Sequence, residues 1–249
     1  MRKLVVALAC RNKGSRLYGK PLQNLDIENG INILDNIVAC LSSFDCIDSV
    51  ILGIAEGDEN LDYVDYANNK GLSYIIGDET DVLSRLIQCG KLVDATDIFR
   101  TTSESPFPYF EMIDTVWDKH TKNDNDATFL DEIIDGCGME IIKLNVLEES
   151  HNKGDARHRS ELCTLYIREH DNSYKIQKLL PPKELIRKDL RLTVDNPEDL
   201  VVCRAIYDKF KEQAPMVPLI EAVRFLDKNK SLKKLIAQFC EEGYSTMYL

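Results

Sequence analysis

None of the eight cysteines is paired as CxxC. They stand at Cys10, Cys40, Cys46, Cys89, Cys137, Cys163, Cys203 and Cys240 with no repeated spacing. Zinc ribbons and disulfide frameworks need closer order. The apolar neighbours of Cys40 and Cys203 instead predict buried, reduced thiols. The four histidines form no HxxxH or HExxH pattern, which argues against a metal–histidine site. No apolar run is long enough to span a membrane. The apolar stretch at the start, Leu4 to Cys10, runs directly into Arg11, Lys13 and Arg16. It reads as a strand feeding a loop rather than a secretory segment, and a cytoplasmic protein is expected. Positive charge in excess is lacking as well. The formal net charge is −11, and an acidic chain is a poor partner for nucleic acid, because neutralising phosphates takes clustered Lys and Arg. A polyanionic ligand would have to be met by a local basic pocket or by metal ions. There are no internal repeats and no low-complexity segment.

What is present suits a folded α/β chain. The 249 residues are 44% hydrophobic and 29% charged, ordinary for a globular protein and enough for a real core. Leu4 to Ala9 is apolar on both faces, as a buried parallel strand should be. Further strands are expected at Ser49 to Ala55, in Leu72-Ser73-Tyr74-Ile75-Ile76, and at Asp97 to Thr101. Between them, helices are expected at Ile33 to Ser43, in the segment closed by Gly71, and at Asp81 to Val93, where an acidic residue opens the helix. This alternation predicts βαβ units and a mostly parallel sheet. Ligands of such sheets gather at the carboxyl ends of the strands. The second half is less regular. Strands are expected around Ala127 to Leu130, Met139 to Leu144, Tyr174 to Lys178 and within Asp189 to Asn196. A helix is expected over Ala156 to Glu169. Asn196, Pro197, Glu198 and Asp199 read as the start of a helical C-terminal region reaching about Cys240.

Three constellations could carry chemistry. The loop after the first strand holds Arg11, Lys13, Ser15, Arg16, Lys20 and two glycines within ten residues. At a strand's carboxyl end, such a loop can wrap a triphosphate with backbone N–H groups and cations. It is neither a Walker A loop nor GxGxxG, and a solvated basic turn is the alternative. Glu104 and Asp195 each follow apolar strand residues, and two such carboxylates can hold Mg²⁺ while leaving room for phosphate oxygens. Separate roles, a capping turn and a surface acid, are the alternative. Arg157, His158 and Arg159 cluster at an expected helix start, which could grip an acceptor's phosphate or carboxylate, or be a solvated face.

Taken in order, these segments resemble the cytidylyltransferase family, which includes KDO and acylneuraminate cytidylyltransferases and spore-coat SpsF-like proteins. RNKGSRLYGKPL is similar to the family's R-x-x-S-x-R-L-P-G-K-x-L loop, GDETDVLSRL to its G-D-E-x-D-V-L-x-R helix start, and RLTVDNPEDL to its R-x-T-V-D-T-P-E-D-L signature. FRTTSESPF falls where the family has G-D-x-P, and RHRSELCTLYIREH resembles its R-E-H-V-T-x-Y-I segment. The likeness runs from Leu4 to about Tyr207.

The resemblance implies a single Rossmann-like α/β nucleotidyltransferase domain over residues 1–249, with a mostly parallel central sheet and helices on both faces. An irregular acceptor-binding subregion would lie around 127–190 and a helical C-terminus at 197–240. It implies transfer of CMP from CTP to a small anionic acceptor with Mg²⁺ as cofactor and pyrophosphate released, in surface polysaccharide or capsule biosynthesis. The nucleotide would be held by Ala9, Arg11, Asn12, Gly14, Ser15, Arg16, Lys20 and Thr102, with Arg16 and Lys20 catalytic. Glu104 and Asp195 would bind metal. Glu140, Arg157, His158 and Arg159 would meet the acceptor. A homodimer is compatible with this reading. Tyr18 replaces the family's Pro, Ser103-Glu104 replaces Gly-Asp, and Cys163 replaces an apolar residue. GTP or another NTP as donor, and an inactive nucleotide-binding protein, are the alternatives.

Overall fold

The structure, a computed structural model, describes residues 2–14 and 16–246. Its strands are β1 (Leu4–Cys10), β2 (Asn24–Asp26), β3 (Ile31–Asn32), β4 (Ile47–Ala55), β5 (Ser73–Gly77), β6 (Asp97–Arg100), β7 (Ala127–Leu130), β8 (Met139–Lys143) and β9 (Ile176–Leu179). Its helices are α1 (Ile33–Leu41), α2 (Leu61–Lys70), α3 (Val82–Leu92), α4 (Ile113–Lys122), α5 (Leu144–Lys153), α6 (Ala156–Arg159), α7 (Leu165–Glu169), α8 (Pro197–Phe210), α9 (Leu219–Lys228) and α10 (Lys230–Thr246).

Seven strands form one sheet in the order β5-β4-β1-β6-β8-β7-β9. Only β8 runs against its neighbours, pairing antiparallel with both β6 and β7; β1 lies parallel to β4 and β6. Strand β1 shows why both faces are covered. Its side chains alternate: Leu4, Val6, Leu8 and Cys10 enter one apolar cluster with α1, α2 and α8, while Val5 and Ala7 enter the other with α3 and α5. The fold is thus the expected mostly parallel α/β sheet with helices on both faces. All eight cysteines are free, and seven of them are buried.

Local signals act where the sequence places them. Asp81 accepts a hydrogen bond from the Ser84 N–H at 2.8 Å and starts α3. The Asp199 carboxylate accepts from the Asn196 N–H at 2.8 Å and from the Asp195 N–H at 3.0 Å, opening α8.

Three elements differ from expectation. The helix expected over Ala156 to Glu169 is two short pieces, α6 and α7, separated by extended backbone at Ser160. Arg159 turns back to donate to the carbonyls of His151 and Gly154, at 2.9 and 3.3 Å, so it closes the end of α5 rather than continuing its own helix. The strand expected within Asp189 to Asn196 has a strand's alternation, with Leu190, Leu192 and Val194 buried in the core. Its N–H groups are taken by loops instead: Leu192 donates to the Asp135 carbonyl at 2.8 Å and Val194 to the Glu104 carbonyl at 3.1 Å. Among the described residues its one β-bridge is Asp135 to Arg191. The helical C-terminus is interrupted at Pro215 and Pro218, whose missing N–H groups cannot continue a helix.

Candidate active site

The chain leaves β1 on one side for β4 and β5, then returns on the other side with β6. The loops following β1 and β6 therefore part at the carboxyl edge, where open α/β sheets bind ligands. Ser103 ties the two loops together, its hydroxyl donating to the Ala9 carbonyl at 2.7 Å. The β1 loop is anchored behind by Asn12, whose N–H donates to the Asn60 side chain at 2.8 Å and whose amide donates to the Glu59 carbonyl at 2.5 Å. Gly19 adopts φ +57, a left-handed conformation open to glycine at little cost, and brings the chain back so that Lys20 follows.

Between the loops lies a cleft of about 370 Å³. Seven cationic side chains line it (Arg11, Lys13, Arg16, Lys20, Arg85, Arg100 and Arg168) against four acids, Glu104, Asp135, Glu161 and Asp195. A chain of net charge −11 has concentrated a positive excess in one cavity. Such focusing draws in polyanions. Ala9 and Thr102 line the cleft with these cations, whereas Asn12 and Gly14 are not among its lining residues. Ser15 lies outside the described residues.

Lys20 sits between the two expected carboxylates. Its ammonium is 2.8 Å from Asp195 Oδ1 and 3.7 Å from Glu104 Oε1. Two oxygens at those distances from one nitrogen fall within the ~8 Å that carboxylate groups must not exceed to share an ion with Mg–O bonds of roughly 2.1 Å. Arg16 approaches Asp195 Oδ1 at 3.7 Å, and Arg191 pairs with Asp195 Oδ2 at 2.5 Å. Burial works against ionising Asp195, but Lys20, Arg191 and Arg16 outweigh it and hold its carboxyl below the usual range. Burial likewise opposes the Lys20 charge, and Glu104 and Asp195 overcome it. Asp135 goes the other way. Burial pushes its carboxyl up to about 6; Arg191 opposes the shift and the negative charges of Asp195, Asp199 and Glu104 reinforce it. Among the described residues, no group of three or more His, Cys, Asp or Glu side chains is arranged to hold a metal ion. A pair of carboxylates opening onto an anion-binding cleft still suits Mg²⁺, which is held by one or two carboxylates together with substrate phosphates and water.

A smaller recess of about 80 Å³ adjoins the cleft, and Arg100, Thr101, Thr102, Asp135, Glu140, Arg168 and Thr193 are among its lining residues. Glu140 is the hub of its wall. It accepts from Arg100 at 2.8 Å, from Arg168 at 2.7 Å and from the Thr164 hydroxyl at 2.9 Å. Burial alone would favour its neutral form, yet the two guanidiniums hold its carboxyl at about 2. Arg168 also grips Asp131 with both terminal nitrogens, at 3.1 and 2.9 Å, and lies 3.8 Å over the Phe129 ring.

The Arg157-His158-Arg159 cluster is not brought to either cavity. Arg157 and His158 both donate to Glu169, at 2.6 and 2.8 Å, and Arg159 caps α5. Their charge is spent locally, on acids and carbonyls a few residues away. The cations lining the smaller recess are instead Arg100 and Arg168. Arg85, Arg100, Arg168, Asp135 and Arg191 were all missed as candidates from the residues alone. A signal existed for four: Arg85 stands in GDETDVLSRL, Arg100 in FRTTSESPF, Arg168 in RHRSELCTLYIREH and Arg191 in RLTVDNPEDL. Arg85 is buried, donating to the Gly53 carbonyl at 3.1 Å and to the Glu79 carbonyl at 3.0 Å beneath the ends of β4 and β5.

Sheet order, switch-point cleft and cationic loop together define an α/β nucleotidyltransferase fold. A cytidylyltransferase from Leptospira borgpetersenii superposes with a TM-score of 0.81 over 93% of this chain and 97% of its own, at 19% identity. A CMP-2-keto-3-deoxy-manno-octonic acid synthetase solved with CTP superposes with a TM-score of 0.61 over 83% of this chain and 99% of its own, at 14% identity. No protein-family model matches the chain. The spore coat polysaccharide biosynthesis protein SpsF of Bacillus subtilis is 30% identical over 232 residues, 92% of this chain and 96% of SpsF. The chain belongs to the SpsF family and shares its fold with cytidylyltransferases. Among the described residues, no helix is long and apolar enough to cross a membrane.

Proposed function

We propose that this protein transfers CMP from CTP to a small anionic acceptor and releases pyrophosphate. The carrying observation is the convergence of Lys20, Glu104 and Asp195 at the switch point of the sheet, inside a cleft whose lining is cationic in an acidic chain. An acceptor oxygen attacks the α-phosphorus in line; the bond from that phosphorus to the α,β-bridging oxygen breaks, and that oxygen leaves with pyrophosphate. Lys20, Arg16 and Arg11 neutralise charge on the triphosphate, so the protein positions and stabilises rather than reacting covalently. Glu104 and Asp195 would hold Mg²⁺, which when bound supplies charge neutralisation to the phosphates. Thr102 and Arg85 line the same cleft and would border the nucleotide in this reading.

On the acceptor side, Arg100 and Arg168 are already paired with Glu140 and Asp131, so an acceptor's carboxylate or phosphate would have to share them, and Thr101, Thr102 and Thr193 offer hydroxyls to a polyol. A sugar acid attacking through a hydroxyl and a sugar phosphate attacking through phosphate both fit. SpsF is a spore coat polysaccharide biosynthesis protein, which favours a sugar acceptor for surface polysaccharide. The test is pyrophosphate release with CTP, UTP, GTP or ATP, Mg²⁺ and a panel of sugar acids and sugar phosphates. Turnover with CTP and one acceptor class is expected. Turnover with GTP alone would change the donor. Absence of both turnover and CTP-dependent thermal stabilisation would overturn the reading.

A further inference from the structure

Arg191 lies behind the cleft rather than in it. It is 3% exposed, one of the most deeply buried charges in the molecule. Its guanidinium serves two masters. One edge reaches the acids: Asp195 Oδ2 at 2.5 Å, Asp199 Oδ1 at 3.3 Å and Asp135 Oδ2 at 3.8 Å. The other edge reaches the C-terminal helix, Nη1 donating to the Phe239 carbonyl at 3.2 Å with the Phe239 ring 5.9 Å from the guanidinium. One turn further along α10, Gly243 lines the cleft. A Cβ there would overlap the Asp135 carboxylate and stand 3.7 Å from Arg191 Nη1. Glycine is what lets the helix backbone close onto this pair.

The division of labour at Asp195 follows. Oδ1 faces the cleft, where Lys20 and Arg16 approach it, and Oδ2 faces the interior, where Arg191 fixes it. A carboxylate held by one oxygen presents the other in a set direction, and outer partners of this kind orient a ligand and tune it. The planar guanidinium suits the task because it spans several acceptors at once.

We infer that Arg191 is a positioning residue for Asp195, and that α10, docked on the same guanidinium with Gly243 against Asp135, is a working wall of the site. The inference rests on the reading of Asp195 as a metal-binding acid. It is tested by Mn²⁺ titration in the presence of CTP, followed by electron paramagnetic resonance of the free ion, on wild type, Arg191→Met, Arg191→Lys, Gly243→Val and Asp195→Asn, each checked by thermal melting. Arg191→Met is expected to weaken Mn²⁺ binding by about 10–100-fold, the usual cost of losing an outer-shell partner. Arg191→Lys is expected to recover part of that loss, since an ammonium reaches one acid but not the whole set. Gly243→Val is expected to weaken binding by about tenfold through α10, on the same basis. If both Arg191 variants bind Mn²⁺ like wild type while Asp195→Asn does not, this inference falls and the proposed function stands. If wild type with CTP binds no Mn²⁺, both fall. If Gly243→Val alone binds like wild type, the role of α10 falls. Should Arg191→Met not melt cooperatively, Arg191→Lys and Gly243→Val decide the matter, and wild-type affinity in both overturns the inference.

Discussion

The two walls of the cleft handle charge in opposite ways. On the β1-loop wall, Lys20 is paired with Asp195 at 2.8 Å and Arg11 with Glu161 at 2.9 Å, but the two outer cations are loosely held. Lys13 is 70% exposed and Arg16 is 48% exposed, and their nearest acids are 3.4 and 3.7 Å away. On the β8 wall, Arg100 and Arg168 are pinned by Glu140 at 2.8 and 2.7 Å, and Arg168 is held further by Asp131 and stacked on Phe129. The loose wall can rearrange around a flexible polyanion and collect its charge. The pinned wall has already given up its freedom, so it can discriminate shape. A nucleotidyltransferase needs both: triphosphate capture with modest geometric demand, and acceptor placement with strict demand.

The contrast breaks most completely at the point where the walls meet. Asp195→Asn is expected to abolish pyrophosphate release, because the amide cannot balance Lys20, Arg16 and Arg191 and is a weaker ligand for Mg²⁺. Glu104→Asp is expected to be much milder, since it keeps the charge. Turnover near wild type in Asp195→Asn would remove the metal-site reading.

Next comes the β1-loop wall, at its innermost cation. Lys20→Ala is expected to lower kcat/KM for CTP by about 10²–10³, the usual effect of deleting one group that stabilises developing charge. The melting temperature should barely change, because the side chain contributes through the cleft rather than the core. A wild-type rate would make the loop a solvated turn.

The pinned wall should respond differently. Glu140→Gln frees two arginines, so acceptor KM is expected to rise by about tenfold or more while CTP KM stays nearly constant, in line with charge-assisted hydrogen bonds worth about 1.5–3 kcal/mol. A CTP effect of equal size would erase the distinction between the walls. The same variant has a pH signature. The Glu140 carboxyl titrates at about 2 in the fold, below its ordinary value, so its stabilising pairs are intact above the ordinary carboxylate range. That contribution is lost as pH falls towards 2. Wild type should therefore melt higher than Glu140→Gln near neutrality, and the gap should close in acid.

How much of this was legible beforehand differs between the walls for the same physical reason. The loose wall is local. Its cations crowd into ten consecutive residues, and the apolar run of β1 announces a strand end just before them. The sheet was readable likewise, from Leu4–Cys10 and from helices opened at Asp81 and Asn196. The pinned wall is made by register. Arg100 meets Glu140 because β6 and β8 pair antiparallel at those positions, and Arg168 arrives from a helix remote in sequence. No spacing rule exposes such a meeting. The segment around Asp195 alternates like a strand, but its hydrogen-bond partners are loop carbonyls, and only tertiary structure supplies those. Density of charge in the sequence coincides with the cleft lining at Arg11–Lys20, whereas at Arg157–Arg159 nearby acids and carbonyls absorb it.

That last contrast gives the smallest expected effect. Arg157 is 60% exposed and pairs with Glu169 at 2.6 Å. A pair of this kind at the surface is worth about 0–1 kcal/mol, since solvent screens it and ordering two long side chains costs entropy. His158, largely buried, keeps its own bond to Glu169 at 2.8 Å when Arg157 is removed. The short helix α6 is still capped by Asp155, which accepts from the Arg157 N–H at 2.9 Å through backbone that alanine retains. Arg157→Ala should therefore leave CTP and acceptor kinetics within about twofold of wild type and shift the melting temperature by no more than such a pair allows. Steady-state kinetics on both substrates provide the check. A tenfold rise in acceptor KM would mean that the segment swings into the cleft during turnover, and the acceptor would then be met by a mobile basic arm rather than by the pinned wall.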